Sequence, residues 1–157
     1  MDNPFRILLL LCKARRPSRV TDMKAESNTF WLRKGYDAVT FFGTIITNSR
    51  EDAQLLNGRF HPIKNHEMIH LRQAQSTHNS WLCFYWKYMI FWFQARRANR
   101  ILPNAGYLLN PFEMEAYANM YNPHYLDQFS EGATGWRRYA DMSLSQRFRE
   151  RRRSRKH

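Results

Sequence analysis

The sequence predicts an α+β fold, mostly helical, with a small β-hairpin or sheet upstream of two functional helices. Three observations predict it. A run rich in Thr, Val, Ile and aromatics covers residues 29–47; no Gly or Pro interrupts residues 63–102; and a new helix start follows at Asn110-Pro111. With 157 residues, 43% of them hydrophobic and 15% aromatic, the chain is too apolar for general disorder and long enough for one core. Six glycines and two cysteines, with no internal period, exclude collagen, solenoid repeats and a disulfide-stapled scaffold.

The segment 1–28 is predicted to be an apolar and basic lead-in followed by a polar linker (17–28). Its apolar stretch, Ile7 to Cys12, is shorter than the roughly 7–15 residues of a secretory h-region, and the basic cluster follows it instead of preceding it. An exported leader is therefore not expected; a cytoplasmic protein, or one peripheral at the inner face of a membrane, is. Cys12 and Cys83 have no CxxC partner and read as buried or interfacial thiols of a reducing compartment.

The domain proper is expected over 29–136. Strands are predicted at about 29–33 and 38–47, with Gly35-Tyr36-Asp37 between them and Gly43 as a bulge or close approach. A polar loop is expected over 48–60. The pattern then turns helical from Ile63 to Arg97, with Pro62 well placed ahead of it. Its second half, Trp81 to Phe93, is the most apolar piece of the chain, but it is 13 residues long and carries Lys87, short of the roughly 20 that span a bilayer. It reads either as a buried core helix or as an interfacial helix at headgroup depth.

After the break at Pro103-Asn104-Ala105-Gly106, Asn110 as N-cap, Pro111 at the first helical position and Glu113 at the third form a capping box. This helix is expected to reach about Tyr121. Residues 137–157 carry nine basic and two acidic side chains, against eleven and nine over 23–136, so the net charge of +12 belongs mainly to the ends. The run from Arg147 to His157 is expected to be a solvated, mobile tail that holds nucleic acid non-specifically or an acidic membrane surface.

The motif that carries chemistry is His66-Glu67-Met68-Ile69-His70, an HExxH within a predicted helix. At 100° per residue, positions i and i+4 lie nearly above one another, about 6 Å apart, so both imidazoles can close on one Zn²⁺. Glu67 is offset around the helix, toward the place of a water on the metal, where a general base belongs. Met68 and Ile69 give the helix an apolar back. A third ligand is required. His78 would lie about 18 Å further along the axis, and His61 precedes Pro62, off the helix. Glu113 and Glu115 remain, two apart on one helix and pointing some 160° away from each other, so only one can ligate. Glu115 is favoured, because Glu113 has a role in the capping box and the small residues Ala116 and Ala118 allow a close helix approach. Asn119, one turn on, is placed to accept from a ligand imidazole.

The pair HEMIH and Glu115-Ala-Tyr-Ala-Asn119 resembles the gluzincin metallopeptidases, whose pattern is HExxH followed by ExxxD on a later helix. The run Phe112 to Asn119 is similar to the corresponding segment of the BlaR/MecR sensor peptidases and, more loosely, of HtpX and the CAAX prenyl proteases. It also resembles small HExxH proteins with an NHExIHxxQ helix, matched here by Asn65, His66, Glu67, Ile69, His70 and Gln73. The resemblance covers roughly residues 36–126. It implies His66, His70 and Glu115 as zinc ligands, Glu67 as catalytic base, and a peptide or protein substrate; Asn119 stands where the family has Asp. It also raises the expectation of membrane association. The implied reaction is metal-assisted hydrolysis, with Zn²⁺ polarising the scissile carbonyl and Glu67 passing a proton to the leaving amine. His124, Tyr121 and Tyr125 are the nearest candidates for an oxyanion donor, and the strand around Phe41–Thr47 for pairing with an extended substrate. Two rivals stand beside this reading: a non-catalytic zinc-stabilised domain, and a metal-free binder of anionic surfaces.

Overall fold

Among the residues that the computed structural model describes (25–27, 38–41, 44–47, 49–58 and 60–154), helices dominate and a small sheet lies upstream. This is the α+β arrangement the sequence predicts. The sheet holds β1 (Ala25–Ser27), β2 (Ala38–Phe41) and β3 (Thr44–Thr47) in the order β1-β3-β2. β2 and β3 form an antiparallel hairpin, Ala38 opposite Thr47 and Phe41 opposite Thr44. The single strand expected over 38–47 therefore folds back on itself. β1 joins β3 in parallel, with Ala25 opposite Ile45, inside the stretch expected to be linker. β3 is hydrogen-bonded on both sides, so it offers no free edge to an extended peptide. The strand expected at 29–33 and the apolar segment 7–12 lie outside the described residues.

The polar loop expected over 48–60 contains a helix, α1 (Arg50–Asn57). Its apolar residues Ala53 and Leu56, three apart, are both buried, and the helix packs on β1 and β3. The Asn57 amide grips β1 at both of its backbone groups, accepting from the Ala25 N–H at 2.9 Å and donating to the Ala25 carbonyl at 3.0 Å.

The helical stretch expected from Ile63 to Arg97 is two helices. α2 (Pro62–Ser76) starts at His61, whose Nδ1 accepts from the Ile63 N–H at 3.2 Å, with Pro62 at the first helical position. It ends at Thr77; His78 and Asn79 then take left-handed backbone conformations, φ 58° and 51°. Ser80 N-caps α3 (Trp81–Ala95) by accepting from the Cys83 N–H. A serine cap and a pair of residues in the left-handed region stop a helix without Gly or Pro, which is why the turn escapes the sequence pattern.

α3 is apolar on two faces. One buries Trp81, Phe84 and Ala95; the other leaves Leu82, Trp86, Met89, Ile90 and Phe93 exposed. The first face is the buried core helix of one reading, and the second is exposed to solvent. No helix among the described residues is long and apolar enough to cross a membrane. Cys83 is disulfide-bonded, not the thiol expected.

The chain continues through α4 (Ala105–Leu108) into α5 (Pro111–Asn119), which Asn110 caps by accepting from the Phe112 N–H at 3.1 Å. Phe112, fully buried, is the hub of the core: its ring lies 4.8 Å from both Phe84 and Trp136. α6 (Trp136–Ala140) and α7 (Leu144–Ser154) follow, and α7 takes in residues 147–154 of the run expected to be a mobile tail. Arg147 explains the order. Only 4% exposed, it donates from Nε to the carbonyls of Tyr139 (2.7 Å) and Met142 (3.1 Å), and from its terminal nitrogens to those of Ala140 (3.0 Å) and Leu109 (3.3 Å). A guanidinium whose donors are spent on four carbonyls is a structural pin. The outward-facing Arg149, Arg152 and Arg153 keep the surface of α7 basic.

Candidate metal centre

α2 and α5 pack against each other, and Asn65 sets how. Its Nδ2 donates to the carbonyls of Met120 (3.0 Å) and Asn122 (2.9 Å), with a longer contact of 3.3 Å to that of Asn119. One amide at the start of α2 thereby satisfies the orphan carbonyls at the end of α5. The next residue, His66, and His70 one turn on, then face α5 with their Nε2 atoms 3.1 Å apart.

Glu113 completes the group. Its carboxylate oxygens lie 3.3 Å from His66 Nε2 and 3.5 Å from His70 Nε2. The favoured ligand Glu115 is not there: among the described residues, His66, His70 and Glu113 are the set whose ligand atoms converge, all within 4.8 Å of one another. The expectation failed at the capping box. The Asn110 N–H donates to the Tyr107 carbonyl at 3.1 Å, so the Glu113 side chain is not called on to cap and turns to the imidazoles and to the Tyr88 hydroxyl, which donates at 2.8 Å.

Glu115, fully buried, serves as a hydrogen-bond anchor. It accepts from Gln73 Nε2 (2.8 Å), the Tyr125 hydroxyl (2.7 Å), the Gly135 N–H (3.0 Å) and the Trp136 N–H (2.7 Å). Two of those donors are at the start of α6, so the carboxylate caps that helix. A Cβ at position 135 would meet the Tyr125 hydroxyl at 2.5 Å and Glu115 Oε1 at 2.8 Å, which only glycine avoids.

Gln73 links Glu115 to the centre. Its amide nitrogen is held by Glu115 and by the Phe112 carbonyl at 3.0 Å, so its oxygen must face His70 Nδ1, 2.8 Å away. His70 therefore donates from Nδ1 and presents Nε2 to His66 and Glu113. The sequence reading gave this orienting duty to Asn119. That side chain instead donates to the Glu115 carbonyl of its own helix at 2.7 Å.

Do these residues fit a metal ion? A tetrahedral ion with arms of about 2.0–2.1 Å separates its ligand atoms by about 3.3 Å. Here the two Nε2 atoms are 3.1 Å apart, Glu113 Oε2 is 3.3 Å from His66 and its Oε1 3.5 Å from His70, and one ligand atom from each residue lies within 4.8 Å of the other two. Two imidazole nitrogens at 3.1 Å would oppose their lone pairs unless a proton or a cation lies between them. His66 Nδ1 and Glu113 Oε2 are buried with no hydrogen-bond partner, although Oε2 is within ion-pair distance of His66. The donor set fits a divalent cation.

Without a cation, a proton does part of its work. Burial lowers the His70 pKa, but the Glu113 carboxylate more than offsets it, with help from Glu67 and the Gln73 hydrogen bond, and holds it up at about 9. Burial raises that of Glu113, and His70 and His66 outweigh this to hold it well below the usual carboxylate range. Glu67 is 6% exposed, and its charge reaches both His70 and Tyr117. The Tyr117 ring packs edge-on against His66 with centroids 4.6 Å apart, and its hydroxyl meets that of Tyr107 at 2.9 Å. Burial and then the Glu113 charge push the Tyr107 phenol up, so it stays protonated beside the site.

The three residues expected as oxyanion donors are elsewhere. Tyr121 is 75% exposed, His124 pairs with Asp127 at the surface at 3.0 Å, and Tyr125 is spent on Glu115. The tyrosines that interact with Glu113 are Tyr88, Tyr107 and Tyr117. Only Tyr117 carried a signal, four residues past Glu113 on the same helix; Tyr88 is hidden in the aromatic run of α3. His61 caps α2 and His78 is in the turn after it, both away from the group, as expected. No protein-family model matches the chain, and no curated protein or solved structure does.

Proposed function

We propose that the protein is a zinc-dependent hydrolase of the metallopeptidase type, with His66, His70 and Glu113 as ligands and Glu67 as general base. One observation carries the reading: the two imidazole Nε2 atoms of α2, 3.1 Å apart, converge with the Glu113 carboxylate of α5, whose Oε2 is 3.3 Å from His66 and Oε1 3.5 Å from His70. Two nitrogens and one carboxylate oxygen suit zinc, and three protein ligands leave a fourth position for a water or substrate. When bound, the ion supplies Lewis acidity and an acidified water. The residues do the rest. Gln73 keeps His70 in the tautomer that presents Nε2, Glu67 holds and moves the proton next to the first ligand, and Tyr117 offers a neutral hydroxyl beside His66. A peptide or protein substrate rests on the resemblance of HEMIH and Glu115–Asn119 to gluzincins, from which this site departs by using Glu113 in place of Glu115.

A second reading rests on burial. His66, Glu67, His70 and Glu113 are each 7% exposed or less, and a closed site is what zinc needs when it only stabilises a fold. Elemental analysis and a peptide-library cleavage assay on wild type, His66→Ala and Glu67→Gln separate the two. Catalysis requires zinc in wild type, its loss in His66→Ala, its retention in Glu67→Gln, and cleavage abolished in both variants. Zinc in wild type and Glu67→Gln with cleavage by neither would establish the stabilising role. No zinc in wild type would refute both.

A further inference from the structure

Among the described residues, the outward face of α3 has no partner. Leu82, Trp86, Met89, Ile90 and Phe93 are 41%, 56%, 44%, 40% and 52% exposed. At 100° per residue they fall within about 100° of arc, a stripe along most of the helix. Such stripes, with Trp among them, mark interaction surfaces. The opposite side of α3 is anchored through Trp81, Phe84 and Ala95, so the stripe is held rigidly outward.

Charge decides between occupants. From residue 68 to residue 112 the chain has no Asp or Glu, while Arg96, Arg97 and Arg100 follow the stripe directly and are exposed. The Arg96 guanidinium lies over the Trp92 and Phe93 rings, at 5.1 and 5.7 Å, which carries the apolar surface into the cationic one. Ile101, 77% exposed, extends the apolar patch beyond the arginines. The basic helix α7 is nearby, since Leu144 and Phe148 pack against the cluster of Ala95, Ala105 and Leu109. A second copy docked on this face would bring these arginines together; a surface that is apolar below and anionic above would satisfy both halves of it.

We propose that the Leu82–Phe93 face of α3 is a membrane-docking surface that inserts its side chains at the headgroup boundary of an anionic lipid bilayer, with Arg96, Arg97 and Arg100 on the lipid phosphates. The helix then lies in the plane of the interface and does not cross it. Because Tyr88, on another side of α3, donates to Glu113 at 2.8 Å, docking holds the His66–His70–Glu113 group about one helix diameter, roughly 10 Å, from the lipid.

The test is co-sedimentation of the full chain with phosphatidylcholine vesicles, with and without phosphatidylserine, beside a lipid-free sedimentation equilibrium run. Wild type is expected to bind the phosphatidylserine vesicles. Trp86→Ser/Phe93→Ser is expected to weaken that binding by at least about tenfold, since each side chain removes a large apolar insertion. Arg96→Glu/Arg97→Glu/Arg100→Glu is expected to reduce it to the phosphatidylcholine level. Both variants change exposed residues, and circular dichroism and metal content should match wild type, which keeps this test separate from the metal centre. Absence of wild-type binding overturns the proposal. So does unchanged binding by the Trp86→Ser/Phe93→Ser variant, which would place the contact on charge elsewhere. A wild-type dimer dispersed by that variant without lipid would make a second copy the occupant.

Discussion

Exchanging Glu115 for Gln and, separately, Glu113 for Gln should split metal binding from folding. Glu115 accepts four hydrogen bonds, two at each oxygen. In Glu115→Gln the amide nitrogen must replace one oxygen. Facing Tyr125 and Gly135, it can donate to the phenol, which reverses, but the Gly135 N–H loses its acceptor. A buried donor left unpaired costs about 1–3 kcal/mol, and the remaining bonds lose the strength a full charge gave them. The total is about 3 kcal/mol. For a chain of this size that lowers Tm by about 6–12 °C. Zinc measured per chain below the transition should stay near wild type, because Gln73 is still held by the Phe112 carbonyl at 3.0 Å. Glu113→Gln can keep the Tyr88 hydrogen bond but offers the ion no negative ligand, and should lose the metal. The assay is thermal denaturation followed by circular dichroism, with elemental analysis of the same samples. Metal stripped from folded Glu115→Gln and retained by Glu113→Gln would refute the assignment.

Gln73→Leu removes the acceptor for His70 Nδ1 and should weaken metal affinity about 10–100-fold in competition with a chelator; unchanged affinity would show that Gln73 does not orient His70. In chelator-treated protein the His70–Glu113 pair makes stability depend on pH. With His70 raised from 6.5 to about 9, its contribution is full below pH 6.5 and is lost as pH rises through 9, up to about 3 kcal/mol at about 1.4 kcal/mol per pH unit. The lowered Glu113 acts in the opposite sense, contributing above about pH 4.5 and losing that contribution as pH falls toward its folded value. Urea melts between pH 5 and 10 should show this decline, and zinc restored at pH 7 should displace a proton, measurable by calorimetry in two buffers of different ionisation enthalpy. Arg147→Met strips the donors from four carbonyls and should cost about 3 kcal/mol, with loss of helical signal from α7; an unaltered melting curve would refute its structural role. Iodoacetamide should label Cys83 in the denatured chain only after a reductant is added, because Cys83 is disulfide-bonded.

The α+β class, the start of α2 at Pro62 and the Asn110 cap of α5 were all legible in the sequence, because each follows from local chemistry: a ring without an N–H, an amide beside orphan donors, an apolar repeat. So was the facing of His66 and His70, which helical geometry alone dictates. What failed depended on contacts between distant residues. The turn at His78-Asn79 is stabilised by the Ser80 cap and by packing. Ala53 and Leu56 make a helix of a polar stretch only because β1 and β3 lie beneath them. Arg147 looks like one more charge in a basic run until four carbonyls surround it.

The third ligand shows the division most clearly. Spacing established that one of two glutamates, pointing opposite ways on a single helix, belongs with the histidines. Which one depends on the rotation of α5 about its axis, and that is set by Asn65 gripping its C-terminal carbonyls, Phe112 seated in the aromatic core and Glu115 drawn to the start of α6. Chain-local rules decide what a helix can present. The partners that rotate it, Asn65 among them at 57 residues from a carbonyl it grips, decide which side chain meets the paired imidazoles.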